Sequence, residues 1–334
     1  MERLGLAVTA GLTPNEVVEC VCLAEELGYE SAWMAEGHGG DQFSVLTACA
    51  MATERIRLGT SITSVFVRSA PTIAMAAACV DHFSNGRFVL GVGTSHKVQV
   101  EPEHGLEFAN AVPRLRDTVD IVRILLRDGV VSYQGRVIKI DEFDLWFQPL
   151  RQEIPIYLAA VFPRMLETAG EIAQGVLLTW CTLDHARTAA NHVALGAGRG
   201  GKDPGDVEVA SLISCGVAMD STSADEARDS FRPVIAAYAA RFPRYRRLMA
   251  EAGFEQELEA VRRAWREGNH REAQVLVPKG LIEKMGVIGS PEDCREKLQQ
   301  YREAGIGLPI VSPRVSGPGS KERAMATIRA CAPR

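Results

Sequence analysis

The sequence predicts an α/β chain folded as a closed (β/α)8 TIM barrel with two insertions. Three observations point there. Eight apolar or β-branched runs alternate with helical patterns at a spacing of roughly 25 to 35 residues, the rhythm of a parallel βα array. The first strand is followed by Ala10-Gly11-Leu12-Thr13 and not by the GxGxxG that a doubly wound dinucleotide-binding sheet would want. No composition shift or Pro/Ser-rich linker divides the 334 residues, so residues 1–334 are read as one domain.

The elements follow in order. Residues 3–9 are a strand. Thr13, Pro14 and Glu16 then form a capping box with proline in the first turn, Val17, Val21 and Ala24 recur at helical spacing, and Gly28 stops the helix. Residues 31–35 form the second strand and 43–53 the second helix. Ile56, Leu58 and Ile62 belong to a buried parallel strand that breaks at Gly59-Thr60-Ser61, where the pleat can bend. Pro71 opens a helix whose apolar stripe is Ile73, Met75, Ala76, Ala77, Val80 and Phe83, and Asn85-Gly86 closes it. The run Phe88-Val89-Leu90-Gly91-Val92-Gly93 is the next buried strand. It delivers Thr94, Ser95 and His96 at its carboxyl end, the end at which parallel βα arrays meet their ligands.

Residues 97–109 read as a loop, and 112–128 as an amphipathic helix through Leu115, Val119, Val122 and Leu126. Residues 130–148 break the rhythm as a hairpin insertion turning at Gln134-Gly135. Strand 155–160, helix 162–173, strand 175–180, helix 183–195, strand 207–219 and helix 223–240 resume it. Gly196, Gly198, Gly200 and Gly201 follow a helix and read as a flexible loop. The second insertion, 241–285, is helical and dense in charge. Its Leu248, Phe254, Leu258, Val261 and Trp265 fit either a lid over a cleft or surface decoration. Ser290-Pro291 caps a further helix carrying Cys294, Leu298 and Tyr301, which stops at Gly305. Strand 308–312 and a terminal helix end the chain.

Apolar residues are 46% and charged residues 24%, ordinary for a packed soluble protein. A net charge of −5 argues against a nucleic-acid surface. The run Arg241, Arg244, Arg246 and Arg247 around Tyr245 is a solvated helix face or an anion contact. There is no apolar run long enough to span a membrane, and MERLGLAVTA is too short for a signal peptide. Eight cysteines without CxxC or Cys/His metal spacing read as buried free thiols of a cytoplasmic protein with no metal site.

Four segments in order carry a resemblance: Trp33-Met34-Ala35-Glu36, Leu58-Gly59-Thr60-Ser61-Ile62, residues 86–93 (GRFVLGVG) and Gly175-Val176-Leu177-Leu178. Together they resemble the luciferase-like monooxygenase superfamily. Within it the chain looks most like the branch that uses the deazaflavin coenzyme F420, which includes methylenetetrahydromethanopterin reductase and F420-dependent glucose-6-phosphate dehydrogenase. The resemblance runs from residue 3 to about residue 312, missing mainly the middle of the second insertion. It implies a (β/α)8 barrel, often a homodimer, with the cofactor's ring at the carboxyl ends of the strands.

Carried over by position, Ser61-Ile62 matches the family's bulge, a cis non-prolyl peptide that backs the ring. Thr94 and Ser95 match contacts to the polar tail. Ala159, Ala160 and Val161 match a small-residue segment beside the cofactor, although the family often has glycine at the last place. Thr179 and Trp180 close the next strand; Trp180 fits a stacking, core or dimer-interface role. Glu36 takes the place of a family acid that also touches the cofactor. Relatives often carry histidine next, where this chain has Gly37, and histidine returns at His38. His96 stands where the sugar-phosphate dehydrogenase branch has glutamate, which argues against sugar-phosphate oxidation; its plainer alternative is a loop histidine bonded to a carbonyl.

A hydride carrier needs an apolar slot and a proton donor or acceptor near the reacting atom, and Glu36, His38 and His96 are the catalytic candidates. The expected activity is F420-dependent reduction of an activated C=C or C=N bond in a small organic substrate. The alternatives are an FMN-dependent monooxygenase using oxygen and a non-catalytic barrel.

Overall fold

The computed structural model describes residues 2–8 and 11–333. The strands are β1 (Gly5–Ala7), β2 (Ser31–Met34), β3 (Arg57–Thr60), β4 (Thr63–Ser64), β5 (Phe88–Gly93), β6 (Val130–Gln134), β7 (Lys139–Asp144), β8 (Ile156–Ala159), β9 (Gly175–Thr179), β10 (Glu208–Val217), β11 (Gly286–Gly289) and β12 (Leu308–Pro313). Eight of them close a parallel ring in the order β1-β2-β3-β5-β8-β9-β10-β12, with Gly5 opposite Ile310 at the closure. β4 continues the line of β3 against β5, β11 hangs outside on β10, and β6-β7 is the inserted antiparallel hairpin. The expected strand 3–9 is thus present as β1; Thr9 and Ala10 lie outside the described residues.

The ring forms because both faces of each stave are covered. Inside it, Ala7, Trp33, Val89, Tyr157, Leu177 and Ile310 pack as a filled core, with the Trp33 and Tyr157 rings 5.5 Å apart. Outside it, Leu6, Leu58, Leu90, Leu158 and Val176 face the helices. These helices are α1 (Pro14–Glu26), α2 (Gln42–Ala52), α3 (Ala70–Phe83), α4 (Lys97–His104), α5 (Ala111–Asp128), α6 (Pro163–Ile172), α7 (Leu183–Arg199), α8 (Ser221–Arg241), α9 (Pro243–Met249), α10 (Glu255–Arg266), α11 (His270–Val275), α12 (Lys279–Met285), α13 (Pro291–Glu303) and α14 (Ser320–Ala330). Capping boxes start α1 at Thr13/Glu16 and α13 at Ser290/Asp293.

Four expectations need correction. Residues 97–109 are not all loop, because 97–104 form α4. It buries only Val100 and carries an internal Pro102, so it offers no apolar stripe to read, and Gly105 at φ 66° ends it. In α3, Met75 and Phe83 face outward, 41% and 54% exposed, and the buried stripe is Ile73, Ala74, Ala77, Ala78 and Val80. Helix 223–240 packs on the ring, with Ala227 and Phe231 beside Gly216 of β10, but also serves the insertion. Phe231, Ile235, Ala236 and Ala239 of α8 share a second core with Leu248, Met249, Leu258 and Val261, so the insertion's core begins in α8 and α13 covers the ring.

Finally, Gly196 and Gly198 are helical, not loop. Gly196 lets α7 meet α6 backbone to backbone: a Cβ there would sit 2.0 Å from the Glu167 carbonyl oxygen, and one on Gly170 would sit 2.1 Å from that of Val193. Gly198, two residues on, faces open space. The two positions therefore respond oppositely to alanine. Gly198→Ala raises stability by about 0.5 to 1 kcal/mol through helix propensity. Gly196→Ala lowers it by about 1 to 3 kcal/mol, because the overpacking outweighs the same propensity gain. Urea unfolding of both variants is the check; equal shifts of one sign would contradict the packing.

Candidate active site

A cavity of about 340 Å³ opens at the carboxyl ends of the strands. Its floor comes from the β3–β4 junction. There the Ser61-Ile62 peptide is cis, Ser61 N–H donates to the Met34 carbonyl at 2.8 Å, and the Ser61 hydroxyl oxygen is buried without a partner among the described residues. After β5, Thr94, Ser95 and His96 line the wall, with Ser95 at φ 53°. Ala159, Ala160 and Val161 follow β8, and Thr179 and Trp180 end β9; all five line the same space. Ten positions read from the sequence as cofactor contacts, Glu36 among them, thus converge on one cavity.

Glu36 lies at its edge, after β2. One carboxylate oxygen accepts from Arg68 Nε at 2.5 Å, the other from the Ser64 backbone N–H at 2.9 Å. Arg68 also pairs with Asp41, whose side chain caps α2 through Ser44 N–H at 2.8 Å. The carboxylate is therefore clamped from two sides. His38 is not brought to the cavity: its side chain is 83% exposed and Nε2 lies 3.3 Å from a Glu103 oxygen. The glycines at 37, 39 and 40 leave the direction of that loop free in the sequence, and the fold turns His38 outward.

His96 lines the cavity with its ring edge-on to Phe242 and Tyr245, at 5.0 and 5.4 Å. Burial, and then the charge of Arg244, pulls its pKa down to about 4. The imidazole is neutral at pH 7. Its unfolded value is about 6.5, so between pH 6.5 and 4 the unfolded chain binds the extra proton and stability falls as the pH drops through that window. Between pH 7.5 and 5 the wild type should lose up to about 2 kcal/mol more than His96→Gln in urea titrations. Parallel pH profiles would show that the histidine is not held neutral.

Sequence reasoning missed the opposite side. Ser214 of β10, Ser312 of β12, Arg314 just beyond β12, and Tyr238, Arg244 and Tyr245 from α8 and α9 also line the cavity. Arg314 stands at a carboxyl strand end, so the reading that found Glu36 and His96 applied there too. Arg244 resolves the basic run: it faces the cavity, whereas Arg241 pairs with Glu103 and Arg247 with Glu251. Trp180 is both core and wall, 5.3 Å from the Tyr238 ring within the second core. A wider hollow of about 720 Å³ lies along the outer face of α10. One stretch of helix, 256–267, lines all of it, and no strand end reaches it.

Comparison with known proteins bears on this geometry. The family model of luciferase-like monooxygenases matches residues 1–307. The chain is 28% identical over 324 residues to the 5,10-methylenetetrahydromethanopterin reductase of Archaeoglobus fulgidus, covering 96% of each. It superposes on the structure of the coenzyme F420-dependent tetrahydromethanopterin reductase from Methanopyrus kandleri with a TM-score of 0.87 at 25% identity, covering 99% of this chain and 98% of that one. An F420-dependent secondary alcohol dehydrogenase in complex with an F420-acetone adduct shares the fold at a TM-score of 0.77 and 19% identity, over 98% and 99% of the two chains.

Proposed function

The chain belongs to the luciferase-like monooxygenase family, and on that premise we propose that it is a coenzyme F420-dependent oxidoreductase. The observation that carries the reading is the convergence of Ser61, Ile62, Thr94, Ser95, Ala159, Ala160, Val161, Thr179 and Trp180 on one cavity at the carboxyl ends of the strands. The residues fit a flat ring with a polar tail. Alanines at 35, 159 and 160 leave the slot open, Ser61 offers a hydroxyl with no partner among the described residues, and Thr94 and Ser95 add hydroxyls at the rim, that of Thr94 donating to the Ser95 carbonyl at 3.4 Å.

In its reduced form F420 supplies a hydride, here for an activated C=C or C=N bond. The chain's own residues arrange the rest. Trp180, Tyr238 and Tyr245 wall the cavity with aromatic surface and keep water out. His96, held neutral, presents one N–H and one lone pair to orient the atom that gains the proton. Glu36, fixed by Arg68 and Ser64, is an acceptor of constant position. His38 has no part in this arrangement. The second insertion acts as a lid that selects the substrate, since it places Arg244 and Tyr245 in the cavity wall.

On this reading the protein works in the cytoplasm as a homodimer, and its eight cysteines are free thiols. Met51 on α2 and Met75 and Phe83 on the adjacent α3 are 69%, 41% and 54% exposed, apolar surface that a second copy would cover. The test of the activity is anaerobic mixing with reduced F420 and a panel of enones and imines. Recovery of the oxidised deazaflavin's visible absorbance is the expected result. Oxygen uptake with reduced FMN, and none of that recovery, would favour the monooxygenase alternative instead.

A further inference from the structure

On the β10–β12 side of the cavity the polar groups are donors with no acid to meet them. Ser214 and Ser312 are in-register neighbours on this parallel pair, and both line the cavity. Arg314 comes two residues after Ser312, so the alternation of an extended chain returns it to the same face. Its backbone N–H is tied to the Cys215 carbonyl at 2.8 Å. Its guanidinium donates through Nε and Nη2 to the Ser214 hydroxyl, at 3.3 and 3.0 Å, and lies 5.3 Å over the Trp180 ring.

A guanidinium has five N–H donors, and among the described residues these contacts leave Nη1 unused. Burial works against its charge, and among the described residues no carboxylate pairs with it. Ser312, 1% exposed, has a hydroxyl oxygen without a partner among the described residues. Arg244 adds a second cation to the same cavity, and the one carboxylate in the lining, Glu36, is already held by Arg68. Buried cations are ordinarily paired, and guanidinium is matched in shape to oxyanions.

We propose that Arg314 and Ser312 form a subsite for an oxyanion, a carboxylate or phosphate carried by the substrate. The proposal rests on the cofactor reading above, because the cofactor segments occupy the contiguous arc β3-β5-β8-β9 and leave β10-β12 to the second reactant. The phosphate of the cofactor's own tail is the other source of the same chemistry, and the experiment separates the two.

Inorganic phosphate is the probe, titrated calorimetrically into the free and the F420-saturated protein. Wild type should bind it in both states. Arg314→Gln should weaken that binding about tenfold or more, as should Arg244→Gln to a lesser degree, while F420 affinity shifts less than about twofold. Unchanged phosphate binding in Arg314→Gln overturns the subsite. So does displacement of phosphate by F420 together with a tenfold loss of F420 affinity in Arg314→Gln, which would hand the site to the cofactor. Ser312→Ala removes a hydroxyl with no partner among the described residues, so it should fold as wild type and still bind phosphate several-fold more weakly. If wild type binds phosphate through Arg314 but does not bind F420, the subsite stands and the cofactor reading falls.

Discussion

Ala159→Phe should abolish F420 binding, by at least about a hundredfold, while the barrel stays folded. Ala159 ends β8 on the face that Tyr157 presents to the barrel interior, and its methyl group lines the cavity. The space around it is already tight on the strand side: a Cβ on the neighbouring Gly93 would come within 3.0 Å of the Ala159 Cβ. A phenyl ring at 159 therefore has one direction open to it, the slot itself. Because it enters a cavity and not the packed core, the usual penalty of about 1 to 3 kcal/mol for overpacking is largely avoided. Fluorescence titration with F420, alongside the thermal midpoint, separates the two effects. Wild-type affinity in the variant would place the ring elsewhere.

Arg68→Met should lower kcat/KM by about 10- to 100-fold and stability by about 2 kcal/mol. Arg68 is a positioning residue. Its guanidinium holds Glu36 at 2.5 Å, pairs with Asp41 at the start of α2, and lies 5.0 Å over the Phe43 ring. Removing it leaves the Glu36 side chain, 16% exposed, with the Ser64 N–H as its remaining partner. A fully buried pair broken from one side loses more, about 3 to 5 kcal/mol; the partial exposure of both side chains is the reason for the smaller figure. A double-mutant cycle with Glu36→Gln isolates the coupling. The double variant should be scarcely worse than either single one, and Arg68→Lys should recover part of the rate. Simple additivity would mean that Arg68 acts on the structure without acting through Glu36.

The eight staves were legible because each is an apolar run bracketed by turn residues and buried on both faces, as at Leu58, Val89 and Ile310. The cis Ser61-Ile62 peptide was legible only through resemblance, since no local pattern requires it. What stayed hidden depends on partners. A glycine signals either freedom or close approach, and only the α6 backbone shows that Gly196 is the second kind. The helical period of α8 reads clearly, yet nothing in it tells that Phe231, beside Gly216 of β10 and Gly286 of β11, also joins the insertion's core. Direction out of a loop is equally unreadable: His38 is two residues from Glu36 and points away, while His96 points in. Arg314 was within reach of the strand-end reasoning, two residues past Ser312, at the close of the eighth stave.

The central claim is that the cavity at the strand ends takes the ring of F420. Equilibrium titration of F420 into the purified protein, with FMN run in parallel, addresses it most directly. The account predicts saturable one-to-one quenching in the micromolar range, with FMN binding more weakly. An unchanged F420 signal at tens of micromolar, or tighter binding of FMN, would contradict it.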